Sequence, residues 1–426
     1  MSRMLSDFHR KSIEERIEVV KSLYPSANGA YTEGIDLKAA DNMVENCIGR
    51  IFLPLGLGLD FLINSKEYVV PLSTEEPSII AAASVAAKLI KNNGGFASSF
   101  TAPILQGQIQ ILDIDYEKFN KQFRKYKTFF IDKANSEYCS RMFGRGGGVV
   151  NLKLEKLTEK SGFIDIHVNV GEAMGANVVN FVCEKLGEDI EKMFRCRIGL
   201  KILTNYCSER RVKAAYRIPI EKLAYKGVSG EHIARGFIES YEFALLNVHR
   251  ATTHNKGIMN GIQAAGIATG QDIRSLEAAA HAWPSRDGRY KPLNSYKVDN
   301  GFLIGEIDIP IAVGTIGGSL KSNPAYQASL SILGNPSSSE LCQIIVCVGL
   351  ACNFSAIRAM ITEGISRGHM QLHAKNIAIA AGVPTQLVSE AVEYMKKKGN
   401  FSNQTALDYL ESINYVTDEF MRSPKL

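Results

Sequence analysis

Alternation of hydrophobic and polar residues between positions 108 and 205 predicts a small sheet covered by two helices. Strand character is found at 108–114, 149–157, 163–170 and 198–205, and helical spacing at 116–127 and 174–191. The resulting order of strand, helix, strand, strand, helix and strand is the ferredoxin-like plan. We therefore expect a small unit here, inserted in a larger one.

The segments on either side have a different character. They are helices rich in glycine and alanine, joined by short strands, and the clearest are 77–91, 256–268 and 275–282. The C-terminal part is helical again, with breaks at Gly382, Pro384 and Gly399. The predicted fold class is α+β, made of a large, mostly helical domain (1–106 and 211–365), the inserted domain (107–210) and a C-terminal helical flap (366–426).

Composition narrows the class of protein. Lys plus Arg number 49 against 44 Asp plus Glu, and this net charge of +5 is spread along the chain, which favours neither nucleic acid nor a membrane as partner. The eight cysteines form no C-x-x-C pair, as expected of reduced cysteines in a cytosolic protein. Ser12 and Glu15 fit a helix capping box where a signal peptide would have its apolar core. No apolar run is expected to reach the roughly 18 to 20 residues of a membrane span, so we expect a soluble, cytoplasmic protein.

The basic segment KFNKQFRKYK, 118–127, could suggest nucleic-acid binding. Helical spacing places Phe119 and Phe123 on one face and lets the lysines and Arg124 surround it. That is the ordinary pattern of a helix packed on a sheet, and we favour this interpretation.

Three glycine-rich segments are candidates for a phosphate-binding turn. GLGLDF (56–61) and GRGGGV (144–149) both depart from G-x-G-x-x-G, so a Rossmann fold has no support. The turn GEAMGAN, 171–177, follows a strand and precedes a helix, where backbone N–H groups and the helix dipole could meet a pyrophosphate. A helix that only packs closely on a sheet would have the same pattern.

Two further segments carry candidate chemistry. In TEEPS, Pro77 suits the first helical position, so Glu75 and Glu76 lie at the helix start, either as ordinary caps or as a proton donor held there by burial. In HNKGIMNG, Lys256 and Asn260 lie one helical turn apart, and Asp272 follows within plausible reach. Such a lysine could stabilise an oxyanion, form a Schiff base, or be a surface cation.

Several motifs together resemble hydroxymethylglutaryl-CoA reductase, in its soluble bacterial-type class II form. The motifs are ENCIG (45–49), VPLSTEEPSIIAAAS (70–84), GEAMGAN (171–177), RATTHNKGIMNG with IATGQD (250–272), VGTIGG (313–318) and GHMQLHAKN (368–376). They extend over nearly the whole chain, and HNKGIMNG and TEEPS are long and specific.

The resemblance implies a function for each motif residue. The catalytic residues would be Glu76, Lys256, Asp272 and His369, with His373 the nearest competitor of the last. The substrate would contact Arg250, Asn260 and, more weakly, Ser78, and the cofactor would contact Glu172, Met174, Gly175, Asn177 and the region of Asn151. Glu172 stands where the family motif has aspartate. No metal ion is expected.

The implied reaction is the four-electron reduction of 3-hydroxy-3-methylglutaryl-CoA (HMG-CoA) to mevalonate and CoA. Lys256 would stabilise the oxyanion, His369 would protonate the CoA thiolate, Glu76 would supply a proton to the aldehyde, and Asp272 would link the lysine and the glutamate. The same enzyme acting oxidatively in mevalonate catabolism, a Schiff-base enzyme and a non-catalytic CoA-binding protein are the alternatives.

Two departures from the family pattern affect cofactor and regulation. Some NADH-using members have an aspartate where Asn151 stands here, and its absence, with Arg145 and Lys153 nearby, favours NADPH over NADH. Lys375 occupies the position of the regulatory serine of the membrane-anchored class, so phosphorylation there is not expected. The resemblance also implies a homodimer or higher even oligomer whose shared site includes Glu45–Gly49, with a flap that closes from a hinge near Gly368.

Overall fold

The computed structural model describes residues 4–27, 30–32 and 34–415, with the backbone alone at residues 365–372. The elements before the inserted unit are α1 (Ile13–Leu23), α2 (Leu37–Met43), β1 (Leu55–Ile63), β2 (Lys66–Ser73), α3 (Ile79–Lys91) and β3 (Ala97–Phe100). The inserted unit contains β4 (Ile104–Leu112), α4 (Tyr116–Lys133), α5 (Ser140–Phe143), β5 (Gly148–Thr158), β6 (Ser161–Asn169), α6 (Ala176–Phe194) and β7 (Arg197–Leu203).

The chain then returns to the large unit. Its second part contains β8 (Arg211–Pro219), α7 (Gly230–Leu246), α8 (Val248–Ala268), α9 (Ile273–Ala282), β9 (Asn294–Asp299), β10 (Phe302–Pro310), α10 (Pro324–Ile332) and α11 (Ser338–Thr362). The last helices are α12 (Ile365–Ala380), α13 (Val388–Lys398) and α14 (Asn403–Ser412). Helices and antiparallel sheets together confirm the α+β class.

The inserted unit has the predicted ferredoxin-like order of elements. Its four strands are antiparallel in the order β5-β6-β4-β7, and a separate core forms between this sheet and helices α4 and α6. The predicted strand at residue 108 begins earlier, at Ile104, and the helix predicted over 116–127 continues to Lys133. The predicted domain boundary at residue 107 falls inside β4, and the domain boundaries remain predictions.

Helix α4 has the sheet-packing orientation favoured by its sequence. Phe119 and Phe123 are buried in the core of the inserted unit, with their rings 6.1 Å apart, while Lys118, Lys121 and Arg124 are exposed. The cations therefore surround a face that is already occupied by the sheet, as in any amphipathic helix of this type.

The core of the large unit is built around α11. Residues of α11 pack against α3, α8 and the sheet β3-β8-β10-β9, which the sequence had suggested only as short connecting strands. By length and composition α11 could cross a membrane, so the expectation that no apolar run is long enough was wrong. Its most apolar window is 78% buried within the protein, because a fully enclosed core helix has the same composition as a membrane span.

Two helices begin at residues other than those predicted. Helix α8 begins at Val248, where the Asn247 side chain caps it by accepting a hydrogen bond from the Arg250 amide at 3.0 Å. The helix predicted over 256–268 therefore begins earlier than expected, while its predicted end at Ala268 is confirmed. Helix α3 begins at Ile79, so Pro77 precedes the helix and is not its first residue.

The C-terminal helices form a small cluster of their own. Buried residues of α12, α13 and α14, among them Ala374, Ala391 and Leu410, pack together and not into the large core. Gly382 and Gly399 both have positive φ angles at the ends of helices, which agrees with the predicted breaks.

Candidate active site

An ion pair joins the two most specific motifs of the sequence. Lys256 Nζ on α8 donates a hydrogen bond to Glu76 Oε2 at 2.8 Å, across 180 positions of the chain. Both side chains remain accessible, with 59% of the lysine and 31% of the glutamate side chain exposed. An ammonium group has three N–H donors, so Lys256 can hold Glu76 and still donate to a bound molecule.

The segment before α3 is shaped to present Glu76. Its amide donates to the Thr74 hydroxyl at 3.1 Å, which closes a tight turn. Ser78 follows with a φ of +82°, an unusual conformation for a residue with a side chain, and its hydroxyl is buried without a partner in the described chain. Strain and an unpaired polar group are both typical of binding sites. Glu75 is exposed and makes no comparable contact in the described part of the chain.

Arg250 and Asn260 lie on the same helix as Lys256. Both are partly buried, and the helical rise places them about 15 Å apart along the axis, on either side of the lysine. Burial lowers the pKa of Arg250 from its usual value, but an arginine retains its charge at neutral pH. Arg250 is therefore a positioned cation that can bind a carboxylate with two hydrogen bonds.

The two residues before Lys256 in the HNKG motif are structural. Asn255 accepts a hydrogen bond from the Leu293 amide at 2.9 Å and donates to the Lys291 carbonyl at 2.9 Å. His254 is buried, and its Nε2 lies against the Asn294 side chain. These contacts fix α8 to the segment that leads into β9, so the motif both supplies the lysine and holds its helix.

The turn GEAMGAN opens onto a second site. It ends at Gly175, whose φ of +104° and close approach to Val170 leave no space for a side chain, and α6 begins at Ala176. A cavity of about 630 Å³ lies against this turn, and its lining includes Met174, Asn177 and Asp272. The amides of the first turn of α6 have no acceptor within the helix, so they can bind an anion in this cavity.

Hydrogen bonds of three residues hold this turn and the adjacent loop at Gly314 in place. The Glu172 carboxylate does not line the 630 Å³ cavity, and it accepts hydrogen bonds from the Ser338 amide at 2.6 Å and the Thr315 hydroxyl at 3.1 Å. Gln271, next to Asp272, exchanges two hydrogen bonds with the backbone of Gly314, at 2.9 and 3.1 Å. The buried Arg210 donates to the carbonyl oxygens of the turn itself.

Asp272 is in the second site and not beside Lys256. Its carboxylate caps α9 by accepting from the Ser275 amide at 3.1 Å. Twelve residues of continuous helix separate Lys256 from Ala268, a distance of about 18 Å. The expectation that Asp272 is within reach of the lysine of the same chain is therefore wrong, because α8 continues without a break between them.

The other predicted residues have different positions. Asn151 lies on β5 opposite His167, and it is not among the residues that line the cavity beside the turn. His369 lies in α12, and its side chain is outside the described residues. Sequence reasoning missed Arg210, because a charged residue in the polar run SERRVK suggests a surface position. The motif TGQD could have indicated Gln271, which directly precedes the aspartate.

Comparison with known proteins decides the family. Residues 12–374 match the family model for hydroxymethylglutaryl-coenzyme A reductase. The chain belongs to this family. It is 40% identical over 427 residues to the 3-hydroxy-3-methylglutaryl-coenzyme A reductase of Archaeoglobus fulgidus, covering 97% of this chain and 95% of that protein. A probable reductase of Borreliella burgdorferi is 34% identical over 375 residues, covering 87% and 85%.

Solved structures of the family have the same fold. The 3-hydroxy-3-methylglutaryl-coenzyme A reductase of Streptococcus pneumoniae is 38% identical, with a TM-score of 0.81 over 96% of this chain and 99% of that chain. A class II structure from the same organism, bound to NADPH in open conformations, has a TM-score of 0.80 at 38% identity, over 84% of this chain and 100% of that chain. As a member of the reductase family, the chain is an oxidoreductase.

The buried His254 gives the first prediction, a dependence of stability on pH. Burial lowers the pKa of His254 to about 4, and the nearby Arg250 charge acts in the same direction. The unfolded chain, with a histidine pKa of about 6.5, then binds more protons than the folded one as pH falls below that value. Between pH 7 and pH 4, wild type should therefore lose about 3 kcal/mol more unfolding free energy than His254→Gln.

Urea unfolding at several pH values measures this difference. His249→Gln, at an exposed position on the same helix, is the matched control and should behave as wild type. Parallel pH profiles for wild type and His254→Gln would contradict the assignment of a neutral buried imidazole.

Proposed function

We propose that this chain reduces HMG-CoA to mevalonate and CoA with a nicotinamide cofactor. The observation that carries the proposal is the Lys256–Glu76 pair, at 2.8 Å, between the two family motifs. It combines a cation that can stabilise an oxyanion with a carboxyl group that can transfer a proton, in an accessible position.

The substrate-binding side chains fit the hydroxymethylglutaryl group. Arg250 is a half-buried cation suited to its free carboxylate, and Asn260 lies one helical turn beyond Lys256. The unpaired Ser78 hydroxyl lies two residues after Glu76 and is available to a polar group of the substrate. Together they would align the thioester carbonyl with the lysine.

Each reduction uses a different proton donor. Lys256 donates a hydrogen bond to the thioester oxygen as it gains negative charge, and His369 gives a proton to the CoA thiolate that leaves. Glu76 then protonates the oxygen of the aldehyde as it becomes an alcohol. A bound nicotinamide supplies the hydride for each of these two reductions.

The residues around the turn 171–177 fit such a cofactor. A second cavity, of about 590 Å³, lies next to the cavity beside the turn. Both cavities are lined by Met142, Ala173, Val178 and Ile316. The first contains Asp272 and the free amides of α6, which suit the nicotinamide end and the pyrophosphate. The second contains Arg141 and Arg145, which suit a further phosphate group, and also Glu172, whose carboxylate accepts hydrogen bonds from Ser338 and Thr315.

These arginines support NADPH as the preferred cofactor. The class II enzyme of S. pneumoniae is bound to NADPH, and a 2′-phosphate would need cations of the kind that Arg141 and Arg145 provide. Asn151 lies outside both cavities, so its only effect on cofactor preference would be that it places no negative charge near the 2′-phosphate. We therefore assign the preference to the arginines first.

Replacement of Lys256 tests the catalytic assignment. Lys256→Ala should fold normally and lower kcat by on the order of a hundredfold or more, because one oxyanion donor contributes that much. The measurement is HMG-CoA-dependent oxidation of NADPH. Lys297→Ala removes an exposed lysine that also pairs with a glutamate, Glu306 at 3.1 Å, and should leave the rate unchanged. A folded Lys256→Ala enzyme with half the wild-type rate would exclude this role.

Cofactor preference is tested with NADPH and NADH in separate assays. Wild type should favour NADPH in kcat/KM, and Arg145→Ala should lower that value about tenfold for NADPH while changing NADH little. Asn151→Asp should move the preference towards NADH through repulsion of the 2′-phosphate. Arg197→Ala, an exposed arginine of the same unit, is the control. A wild type that prefers NADH would contradict the proposal.

A shared site in a dimer would bring the two separated clusters together. The end of α8 that leads to Asp272 lies about 18 Å along the helix from the Lys256 of its own chain, so the aspartate that links lysine and glutamate would have to come from another subunit. The segment around ENCIG supports association, because Ile48, Ile51 and Phe52 are 101%, 96% and 66% exposed. An apolar run of this kind is expected to be covered by a partner.

Mixing two inactive variants tests the shared site. Lys256→Ala and Asp272→Ala subunits, exchanged at random, should regain about a quarter of wild-type activity, because each mixed dimer has one site with both residues intact. Differently tagged subunits allow mixed dimers to be purified and counted. If the two residues act within one chain, every mixed site carries a defect and the mixed dimers stay inactive.

A further inference from the structure

Arg210 is a buried cation that the reaction described above does not use. It lies between β7 and β8, and its side chain is 0% exposed. Arginine side chains are almost never fully buried unless a partner neutralises them. No carboxylate of the described residues forms an ion pair with it, so its charge remains uncompensated inside the protein.

Backbone carbonyl groups take the place of a carboxylate. Arg210 Nη1 donates to the carbonyl oxygens of Ala173 at 3.1 Å and Met174 at 3.2 Å, and Nη2 donates to that of Val313. Two of these carbonyls belong to the turn GEAMGAN, and the third begins the loop VGTIGG beside it. One guanidinium group therefore joins both walls of the cofactor cavity.

These contacts also determine the direction in which the backbone N–H groups of the turn point. In a trans peptide group the C=O and the following N–H point in opposite directions. A Met174 carbonyl turned inward to Arg210 therefore directs the Gly175 amide away from the guanidinium. That amide directly precedes the free amides of Ala176, Asn177 and Val178, all of which line the cavity.

We propose that Arg210 is a positioning residue for the cofactor, which holds the turn 171–177 so that its amides meet the pyrophosphate. Its uncompensated charge, one peptide group behind those amides, adds attraction for the two negative charges of that group. The inference rests on the proposed function, because it takes the ligand of this cavity to be a nicotinamide dinucleotide.

The test separates cofactor binding from substrate binding. In the full-length enzyme, Arg210→Met should raise the Kd for NADPH, measured by nicotinamide fluorescence, by about tenfold to a hundredfold, because charged hydrogen bonds to the turn are lost. The Kd for HMG-CoA, measured by calorimetry, should change less than about twofold, and kcat at saturating NADPH should stay within about threefold of wild type. A role in folding alone would not produce this difference between ligands.

Arg358 provides the matched control. It is also a buried arginine, 7% exposed, but its guanidinium lies 4.4 Å from the Tyr225 ring centre and outside the cofactor cavities. Arg358→Met should leave the Kd for NADPH unchanged. If Arg210→Met does not fold, Arg210→Lys provides the test. A single ammonium group cannot bind all three carbonyl oxygens, so this variant should still bind NADPH at least about fivefold more weakly than wild type.

The outcomes separate this inference from the proposed function. A folded Arg210 variant with wild-type affinity for NADPH, or with equal losses for NADPH and HMG-CoA, overturns the inference. If wild type binds NADPH but does not oxidise it with HMG-CoA, the proposed function is overturned. The NADPH affinities of the Arg210 variants can still be compared in that case. A wild type that binds no nicotinamide cofactor overturns both.

Discussion

The contact between α8 and α11 determines where the chemistry of this protein can take place. A side chain at Gly261 would lie 2.7 Å from the Val348 carbonyl oxygen, and one at Gly349 would lie 3.0 Å from that of Ile258. Each helix therefore presents a glycine where the other comes closest. Because α11 is enclosed in the core, close packing against it fixes the position of α8. The backbone of Lys256 is fixed with it. A lysine that must meet an oxyanion within hydrogen-bond distance needs such support.

The continuous α8 also keeps Lys256 apart from Asp272 within one chain. An unbroken α8 carries Arg250, Lys256 and Asn260 along one half and delivers the chain to Asp272 only at its far end. Within one chain, the Lys256–Glu76 pair and the turn 171–177 with Asp272 are therefore two separate clusters, which the proposed dimer would bring together.

The sequence predicted those features that depend on local periodicity. Alternation with period two located β5 and β6, and the spacing of Phe119 and Phe123 gave the buried face of α4. Prediction from the sequence failed where the structural role of a residue depends on a partner far away in the chain. The glycines of α8 did not indicate which element they approach, because only the structure places α11 against them. The direct pairing of Lys256 with Glu76 was not predicted either, because 180 residues separate them. Arg210 has no sequence signal at all, since its partners are backbone oxygens.

Glu172 and Arg210, beside the turn 171–177, are each stabilised by hydrogen bonds to backbone groups, and neither pairs with an opposite charge in the described chain. Glu172 lies at the N-terminus of α11, where the Ser338 amide and the helix dipole stabilise its negative charge. Arg210 is stabilised by carbonyl oxygens. Because each is satisfied separately, the negative charge is screened at the helix end while the positive charge stays directly behind the amides of α6. The amides of α6 and the guanidinium group of Arg210 are therefore held in place before an anionic ligand binds, and the protein does not have to reorganise to position them.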